Sequence, residues 1–133
     1  PGMIAAGNGS ILNVASVAAF QPGPGMAVYF ATKAFVLSLS EALHEEVSEY
    51  GVTVTALCPG PTATEFGEVA GWGGNPLIDK LSATSADVVR AGIAAMDKRR
   101  ALVIPGLVNK ASAQGHRLLP RWLLRKVTGS MKL

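Results

Sequence analysis

Cysteine and histidine are scarce in this 133-residue sequence, and both shortages limit the chemistry that it can carry. Cys58 is the only cysteine, which excludes a disulfide within the chain and favours a reducing compartment. It lies in the run 52–58, where we expect a small buried hydrophobic side chain rather than a reactive thiol. The two histidines show no ligand spacing with it, so the sequence predicts no metal site.

Long apolar runs are also missing. No stretch reaches the roughly 18 residues that cross a bilayer, and the N-terminus lacks the basic region of a signal peptide. We therefore expect a cytoplasmic protein. No repeat or low-complexity segment interrupts the chain, and 49% hydrophobic residues suffice for one domain or part of one.

Acidic residues are absent from the C-terminal part of the sequence. Residues 110–133 hold six Lys or Arg and no acid, whereas residues 1–109 hold six basic and nine acidic residues. The body is therefore mildly acidic, which disfavours nucleic-acid binding because such a face needs a basic patch. We divide the chain into a body, 1–109, and a basic tail, 110–133.

Strand and helix patterns alternate along the body. Short apolar runs predict strands at 11–14, 52–58 and 101–104, and helical spacing predicts helices at 26–49 and 85–97. The second run is β-branched or apolar at every position, as expected of a central parallel strand covered on both faces. This order predicts an α/β fold with a parallel sheet and right-handed crossovers.

Residues that break regular structure lie between these elements. Residues 22–25 read Pro-Gly-Pro-Gly and precede the long helix, and Gly51 is placed to end that helix in the left-handed conformation. Residues 65–83 show no clear period and predict a long loop or short helices, a kind of connection that often forms a lid. Thr84 or Ser85 is placed to cap the next helix.

The first half of the helix at 26–49 is apolar on nearly every side. A helix that covers one sheet needs a single apolar stripe, so this pattern predicts a second wall. A second copy of the chain would supply that wall, and the strand at 11–14 would add an open edge. We therefore expect a homo-oligomer formed through this helix.

Three side chains near the start of this helix are candidates for catalysis. Tyr29 and Lys33 are four residues apart, so they lie one above the other on a helix. An ammonium beside a phenol favours the phenolate, which brings proton transfer within reach. Ser16 follows the strand at 11–14, at the carboxyl edge of the predicted sheet, where its hydroxyl can orient a carbonyl. The Tyr-Lys spacing alone is common by chance.

A hydrolase is the rival enzyme class for this serine. Ser16 with His44 or His116 would supply a nucleophile and a base, but the sequence has no GxSxG turn. We expect His44 on the polar face of the long helix, exposed to solvent.

Three segments give the candidate residues a context. They read Gly-Ser-Ile-Leu-Asn-Val-Ala-Ser at 9–16, Tyr-Phe-Ala-Thr-Lys-Ala at 29–34 and Cys-Pro-Gly-Pro-Thr-Ala-Thr at 58–64. In this order and spacing they resemble the classical short-chain dehydrogenase/reductase family over most of residues 8–66. The resemblance implies the C-terminal half of a doubly wound parallel-sheet (Rossmann-type) domain, with about three parallel strands and flanking helices.

The resemblance also implies roles for the candidate residues. In the family the serine holds the substrate oxygen, the tyrosine is the acid/base, and the lysine binds the nicotinamide ribose and favours the phenolate. These roles fall on Ser16, Tyr29 and Lys33. The implied reaction is hydride transfer between NAD or NADP and a small-molecule carbonyl or alcohol.

Further cofactor contacts are implied after the second strand. Pro59 and Gly60 would form a turn against the nicotinamide, while the Thr62 backbone and the Thr64 hydroxyl would meet its carboxamide. From the residues alone, Thr64 is also placed to cap a short helix that starts at Glu65, and both roles can coexist.

The rest of the family pattern is not found. None of the three predicted strands leads directly into a GxxxGxG turn, which binds the pyrophosphate in complete members, and the residue that selects NAD or NADP is also missing. We therefore expect the 133-residue chain alone to be inactive, as part of a longer parent enzyme. The alternative is a non-catalytic half-domain that acts as an assembly or binding module.

The basic tail predicts an amphipathic helix over 117–127. Its apolar side would be formed by Leu118, Leu119, Trp122, Leu123 and Val127. Its basic side would be formed by Arg117, Arg121 and Arg125. Such a helix can make peripheral contact with an anionic membrane. The alternative, which the sequence favours, is that its apolar side packs on the acidic body or on a neighbouring subunit, because helices with an apolar stripe usually serve a protein core.

Overall fold

The computed structural model describes residues 1–69, 80–115 and 118–130 of the chain. His116 and Arg117 lie outside the described residues, as does much of the loop predicted after the second strand. The helices within these ranges are α1 (Gly2–Ala6), α2 (Ala27–Ser48), α3 (Phe66–Val69), α4 (Ser85–Asp97), α5 (Leu107–Gly115) and α6 (Arg121–Ser130), with a 3-10 helix at Val17–Phe20. The strands are β1 (Gly9–Val14), β2 (Val52–Leu57), β3 (Thr62–Ala63), β4 (Ala83–Thr84) and β5 (Leu102–Val103).

Strands β1, β2 and β5 form one parallel sheet in which β2 is central. β1 and β2 pair along their whole length, from Gly9 opposite Val52 to Val14 opposite Leu57. Every residue of β2 is buried, as expected of a strand with a neighbour on each side. The predicted α/β fold, its parallel sheet and its covered central strand are therefore confirmed.

Helices α2 and α4 cover opposite faces of this sheet. Leu37 of α2 packs with Ala56 of β2 in the main core cluster, whereas Gly92 of α4 lies against Leu57 and Leu12. Consecutive strand residues point to opposite faces, so these two contacts fix the two sides. A Cβ at Gly92 would stand 3.0 and 3.1 Å from the two leucines, which shows how closely α4 approaches the sheet.

This placement corrects the prediction that both crossovers are right-handed. The connections from β1 to β2 and from β2 to β5 step in the same direction but cross opposite faces, so they have opposite hands. The right-handed preference applies where a strand feeds directly into the crossing helix. The second connection lacks that form, because β3, α3 and β4 lie between β2 and α4.

The ends of the helices follow the predicted signals. α2 runs one residue short of its predicted limit at each end, and Gly51 has φ 72°, in the left-handed region. A Cβ at Gly51 would also collide with the carbonyl oxygen of Gly7, so glycine is required there twice over. α4 is capped by Thr84 rather than Ser85, because the Thr84 hydroxyl accepts from the backbone N–H of Asp87 at 3.1 Å.

The connection after β2 contains more structure than its sequence suggested. α3 is one of the short helices expected within 65–83, but the parallel pairing of β3 with β4 was not predicted. Strands of two residues have no period that a sequence can reveal.

Among the residues that the structure describes, cover is found on one side of α2. Phe30, Leu37 and Ser40 are buried, whereas Val28 is 78% exposed and Phe35 is 66% exposed. The sheet supplies the first wall that the sequence predicted. The second wall, from another copy of the chain, stays a prediction.

The predicted helix over 117–127 is wrong in its limits. α6 begins at Arg121, directly after Pro120. The carbonyl of Pro120 accepts from the backbone N–H groups of the first turn at 3.0 and 3.1 Å. Proline lacks an N–H and has a fixed φ, which suit the start of a helix and not its interior.

The packed face of α6 also differs from the prediction. Its buried side chains are Leu124 and Thr128, and a Cβ at Gly129 would contact Pro24, just before α2. Trp122, on the side predicted to be apolar, is 55% exposed. No helix among the described residues is long and apolar enough to cross a bilayer.

Candidate active site

The ends of β1 and β2 run side by side beyond the sheet. The backbone N–H of Ala15 donates to the Leu57 carbonyl at 2.8 Å, and that of Val17 donates to the Pro59 carbonyl at 2.9 Å. The parallel ladder therefore continues past both strands. It brings Ser16 alongside the turn that begins at Pro59, at the carboxyl edge of the sheet.

Ser16 is buried and caps the 3-10 helix that follows β1. Its Oγ accepts a hydrogen bond from the backbone N–H of Ala18 at 3.1 Å. A serine hydroxyl that accepts one bond still has its own proton to donate. The cap therefore fixes the hydroxyl without using the proton that a carbonyl oxygen would accept.

Tyr29 and Lys33 lie on the first turns of α2, beside the end of β1. The Lys33 ammonium donates to the Val14 carbonyl at 3.0 Å, and its Nζ is 5.7 Å from the centre of the Tyr29 ring. Both side chains are half-buried. Because Val14 is two residues before Ser16, this bond brings the ammonium and the phenol ring to the same edge as the serine.

Phe66 is an aromatic neighbour of Tyr29 that the sequence reasoning did not single out. The two ring centres are 5.6 Å apart, and Phe30 meets Tyr29 edge-on at 5.9 Å. Phe66 starts α3 and is 46% exposed. The available signal was an aromatic residue close after the Cys-Pro-Gly segment. An open depression of about 420 Å³ lies beside the phenol, lined by residues 25–29.

The turn after β2 holds the residues predicted to contact a cofactor. The Thr62 hydroxyl donates to the Gly60 carbonyl at 3.0 Å. The Thr64 hydroxyl accepts from the backbone N–H of Phe66 at 3.4 Å and donates to the Thr62 carbonyl at 3.5 Å. The capping alternative for Thr64 is therefore observed, with α3 starting at Phe66 rather than Glu65.

Asn109 of α5 is a second residue that the sequence reasoning missed. Its amide lies directly on Gly60, where an added Cβ would overlap it. Its Nδ2 donates to the Pro105 carbonyl at 2.8 Å, which holds the amide in place. No local pattern links two residues so far apart in the chain, so no sequence signal was available.

Cys58 is fully buried next to Ser16. Burial raises the pKa of the Cys58 thiol to about 11, and Glu41 adds to the rise, while the backbone N–H of Ser16 and the Lys33 ammonium act in the opposite direction. The thiol is therefore neutral at physiological pH. The prediction of a buried, unreactive side chain agrees with this environment.

His44 does not lie on a solvated face, which corrects the prediction. It is half-buried, and its Nδ1 lies 2.8 Å from the Val54 carbonyl of the central strand. Since a carbonyl only accepts, Nδ1 carries the proton and donates it. The ring is thereby tied to the main chain of the sheet, which weakens the hydrolase alternative with Ser16.

Comparison with known proteins gives consistent matches. A family model described as short chain dehydrogenase matches residues 1–71. The very-long-chain 3-oxoacyl-CoA reductase of Bos taurus is 34% identical over 96% of this chain, and the match spans 38% of that protein.

Two solved structures extend the comparison to the fold. A short-chain dehydrogenase from Sphingobium yanoikuyae in complex with NADPH is 36% identical with a TM-score of 0.72, over 89% of this chain and 46% of that one. A short chain dehydrogenase from Burkholderia cenocepacia J2315 in complex with NADP is 27% identical with a TM-score of 0.75, over 96% and 50% respectively. The chain thus spans half or less of the length of these relatives.

Proposed function

The chain belongs to the short-chain dehydrogenase family, and on this premise we propose that it is part of an enzyme that transfers a hydride between a nicotinamide cofactor and a carbonyl or alcohol substrate. The observation that carries the proposal is the bond from Lys33 to the Val14 carbonyl. This bond holds the ammonium beside Tyr29, at a strand residue that precedes Ser16 by two positions. The NADPH and NADP of the two related structures support NAD or NADP as the cofactor class.

Each residue of the proposed site acts either on the substrate oxygen or on Tyr29, which exchanges a proton with that oxygen. Tyr29 gives a proton to this oxygen during carbonyl reduction and takes it back during alcohol oxidation. Ser16 donates a hydrogen bond to the same oxygen, which stabilises the negative charge that develops there. Lys33 places a cation beside Tyr29, with its Nζ 5.7 Å from the centre of the phenol ring.

The donors at this edge suit a nicotinamide riboside. An ammonium has three N–H donors, and the carbonyl at the end of β1 takes one of them, so Lys33 can also bind ribose hydroxyls. Pro59 and Gly60 would lie against the nicotinamide ring, with Thr62 and Thr64 near its carboxamide. When bound, the cofactor supplies or accepts the hydride.

A comparison of the two tyrosines tests the proposal. Because the chain spans 38% of the length of its curated relatives, the assay uses the whole protein that contains it, with NADH or NADPH and a panel of ketones and 3-oxoacyl thioesters. Tyr29→Phe should lower kcat/KM by about 10²–10⁴-fold, the usual contribution of a general acid/base. Tyr50→Phe is the matched control, since Tyr50 is 45% exposed and lies at the opposite end of α2. Near-full turnover by Tyr29→Phe would overturn the assignment.

We also propose that copies of the chain associate through α2. The support is the exposed apolar surface that includes Val28 and Phe35, because large exposed apolar patches often mark interaction sites. The rival proposal, an assembly module without catalysis, uses the same surface. The tyrosine comparison separates the two, since only an enzyme has a turnover to lose.

For the tail we propose peripheral contact with anionic lipid through the outward face of α6, in a cytoplasmic protein. Trp122 is exposed on this face, and the Lys126 Nζ is 5.7 Å from its ring. Cationic and aromatic side chains together favour the membrane interface. The inward face, with Leu124, serves packing within the chain.

A further inference from the structure

Helix α2 presents three polar side chains to the sheet, spaced as one face of a helix. Each is hydrogen bonded to the sheet. Lys33 donates to the Val14 carbonyl at 3.0 Å, and His44 donates to the Val54 carbonyl at 2.8 Å. Between them, Ser40 accepts a bond from the Asn13 amide at 3.0 Å. Tyr29 lies one turn before the first of them. The helix is therefore attached to the sheet by directional bonds as well as by apolar packing.

The middle attachment is the most enclosed of the three. Ser40 has no exposed surface. Its hydroxyl donates to the Val36 carbonyl at 2.6 Å and accepts from Nδ2 of Asn13 at 3.0 Å. The pair lies in the layer that also holds Leu37 and Ala56 of the core. Loss of either partner would deprive the other, the buried Ser40 hydroxyl or the half-buried Asn13 amide, of this bond, which is unfavourable.

Such a pair restricts how α2 can sit on the sheet. Apolar contacts are not directional, whereas a hydrogen bond needs a donor-acceptor distance near 3 Å and good alignment. A shift of one residue moves a helical side chain by ~1.5 Å along the axis and by about 100° around it. The Asn13–Ser40 bond does not survive such a change.

The pair also connects the two halves of the candidate site. Asn13 is three residues before Ser16 on the same run of chain, and Ser40 is two helical turns after Lys33. A bond between them therefore sets where α2, with Tyr29, stands relative to the serine. Proton transfer depends on this relation, because a misplacement of about 1 Å can cost ~10²-fold in rate.

We propose that Asn13 and Ser40 are positioning residues for the reaction, and this inference rests on the proposed function of Tyr29. They set the register of α2 on β1, and they act through Tyr29 and Lys33 rather than on substrate or cofactor. Their contribution is to turnover, beyond what the same bond contributes to stability.

The experiment compares two fully buried hydroxyls in the whole protein that contains this chain. Ser40→Ala removes the proposed positioning bond, and Ser40→Thr restores a hydroxyl at the same place. Thr55→Val is the matched control: Thr55 also has no exposed surface, and its hydroxyl donates to the Arg100 carbonyl at 2.7 Å. Consecutive residues of β2 alternate faces, so Thr55 points away from α2.

Rates are divided by the folded fraction of each variant, measured by circular dichroism. Ser40→Ala should lower kcat about 10- to 100-fold with KM nearly unchanged, Ser40→Thr should recover most of it, and Thr55→Val should keep the wild-type kcat. Asn13→Ala combined with Ser40→Ala should be no slower than either single variant, because both remove the same bond.

The outcomes separate this inference from the proposed function. If Tyr29→Phe is inactive while Ser40→Ala keeps full kcat, the positioning role is wrong and the proposed reaction stands. The same conclusion follows if Thr55→Val loses as much kcat as Ser40→Ala. If wild type has no nicotinamide-dependent turnover, or if Tyr29→Phe keeps it, both are overturned.

Discussion

Replacing Gly60 with alanine tests how the turn after β2 is held against α5. The new Cβ would overlap the Asn109 amide, which is fixed by its bond to the Pro105 carbonyl at 2.8 Å. The amide must therefore move and give up that bond. Overpacking typically costs ~1–3 kcal/mol, and a hydrogen bond contributes about 0.5–1.5 kcal/mol. We expect Gly60→Ala to lower the free energy of unfolding by roughly 1–3 kcal/mol.

A second substitution separates this contact from a general intolerance of alanine. Gly60 is not among the glycines with positive φ, so its backbone accepts alanine once the amide is gone. In an Asn109→Ala background, Gly60→Ala should be neutral or stabilising by about 0.4–1 kcal/mol, because alanine restricts the unfolded chain. The two positions are then coupled by roughly the whole cost of the overlap.

Urea unfolding of the four proteins in this cycle gives the coupling. A Gly60→Ala cost that is equally large with and without the Asn109 amide would refute the contact. Equal m-values among the four proteins are the control, since they show that the unfolding transitions are comparable.

Three further predictions concern the thiol, the outer side of α2 and the tail. Burial raises the pKa of the Cys58 thiol from 9.0 to about 11, so the contribution of the neutral thiol to stability is complete below pH 9 and is lost as the pH rises towards 11. The free energy of unfolding should fall by about 1.4 kcal/mol per pH unit in this range. Urea unfolding should show this slope in wild type, and the same slope in Cys58→Ala would contradict the prediction. Phe35→Glu should convert an oligomer to a monomer in light scattering, whereas Val89→Glu, at an exposed apolar position of α4, should not; a monomeric wild type at high concentration argues against the interface. Arg125→Glu with Lys126→Glu should abolish co-sedimentation with anionic vesicles at low salt, and a wild-type protein that stays in the supernatant leaves the tail with a packing role alone.

The elements around the site were largely predictable because their signals are local. β2 is β-branched or apolar at every position, and α2 has breakers at both ends, so both were predicted to within one residue at each end. Helical spacing places Tyr29 and Lys33 next to each other. The location of Ser16 follows from the rule that the carboxyl ends of parallel strands lie at the same edge of the sheet. The amino-acid sequence alone therefore determined the order of strands and helices along the body and the three candidate catalytic positions.

Which distant side chains meet was decided only by the tertiary structure. Asn109 on Gly60, Phe66 beside Tyr29, and His44 on the central strand join separate elements, and none has a period in the sequence. The hand of the second crossover and the buried face of α6 were likewise decided only by the tertiary structure. The physical reason is that such contacts depend on how whole elements pack against one another, whereas local patterns report only the conformation of a segment and its apolar side.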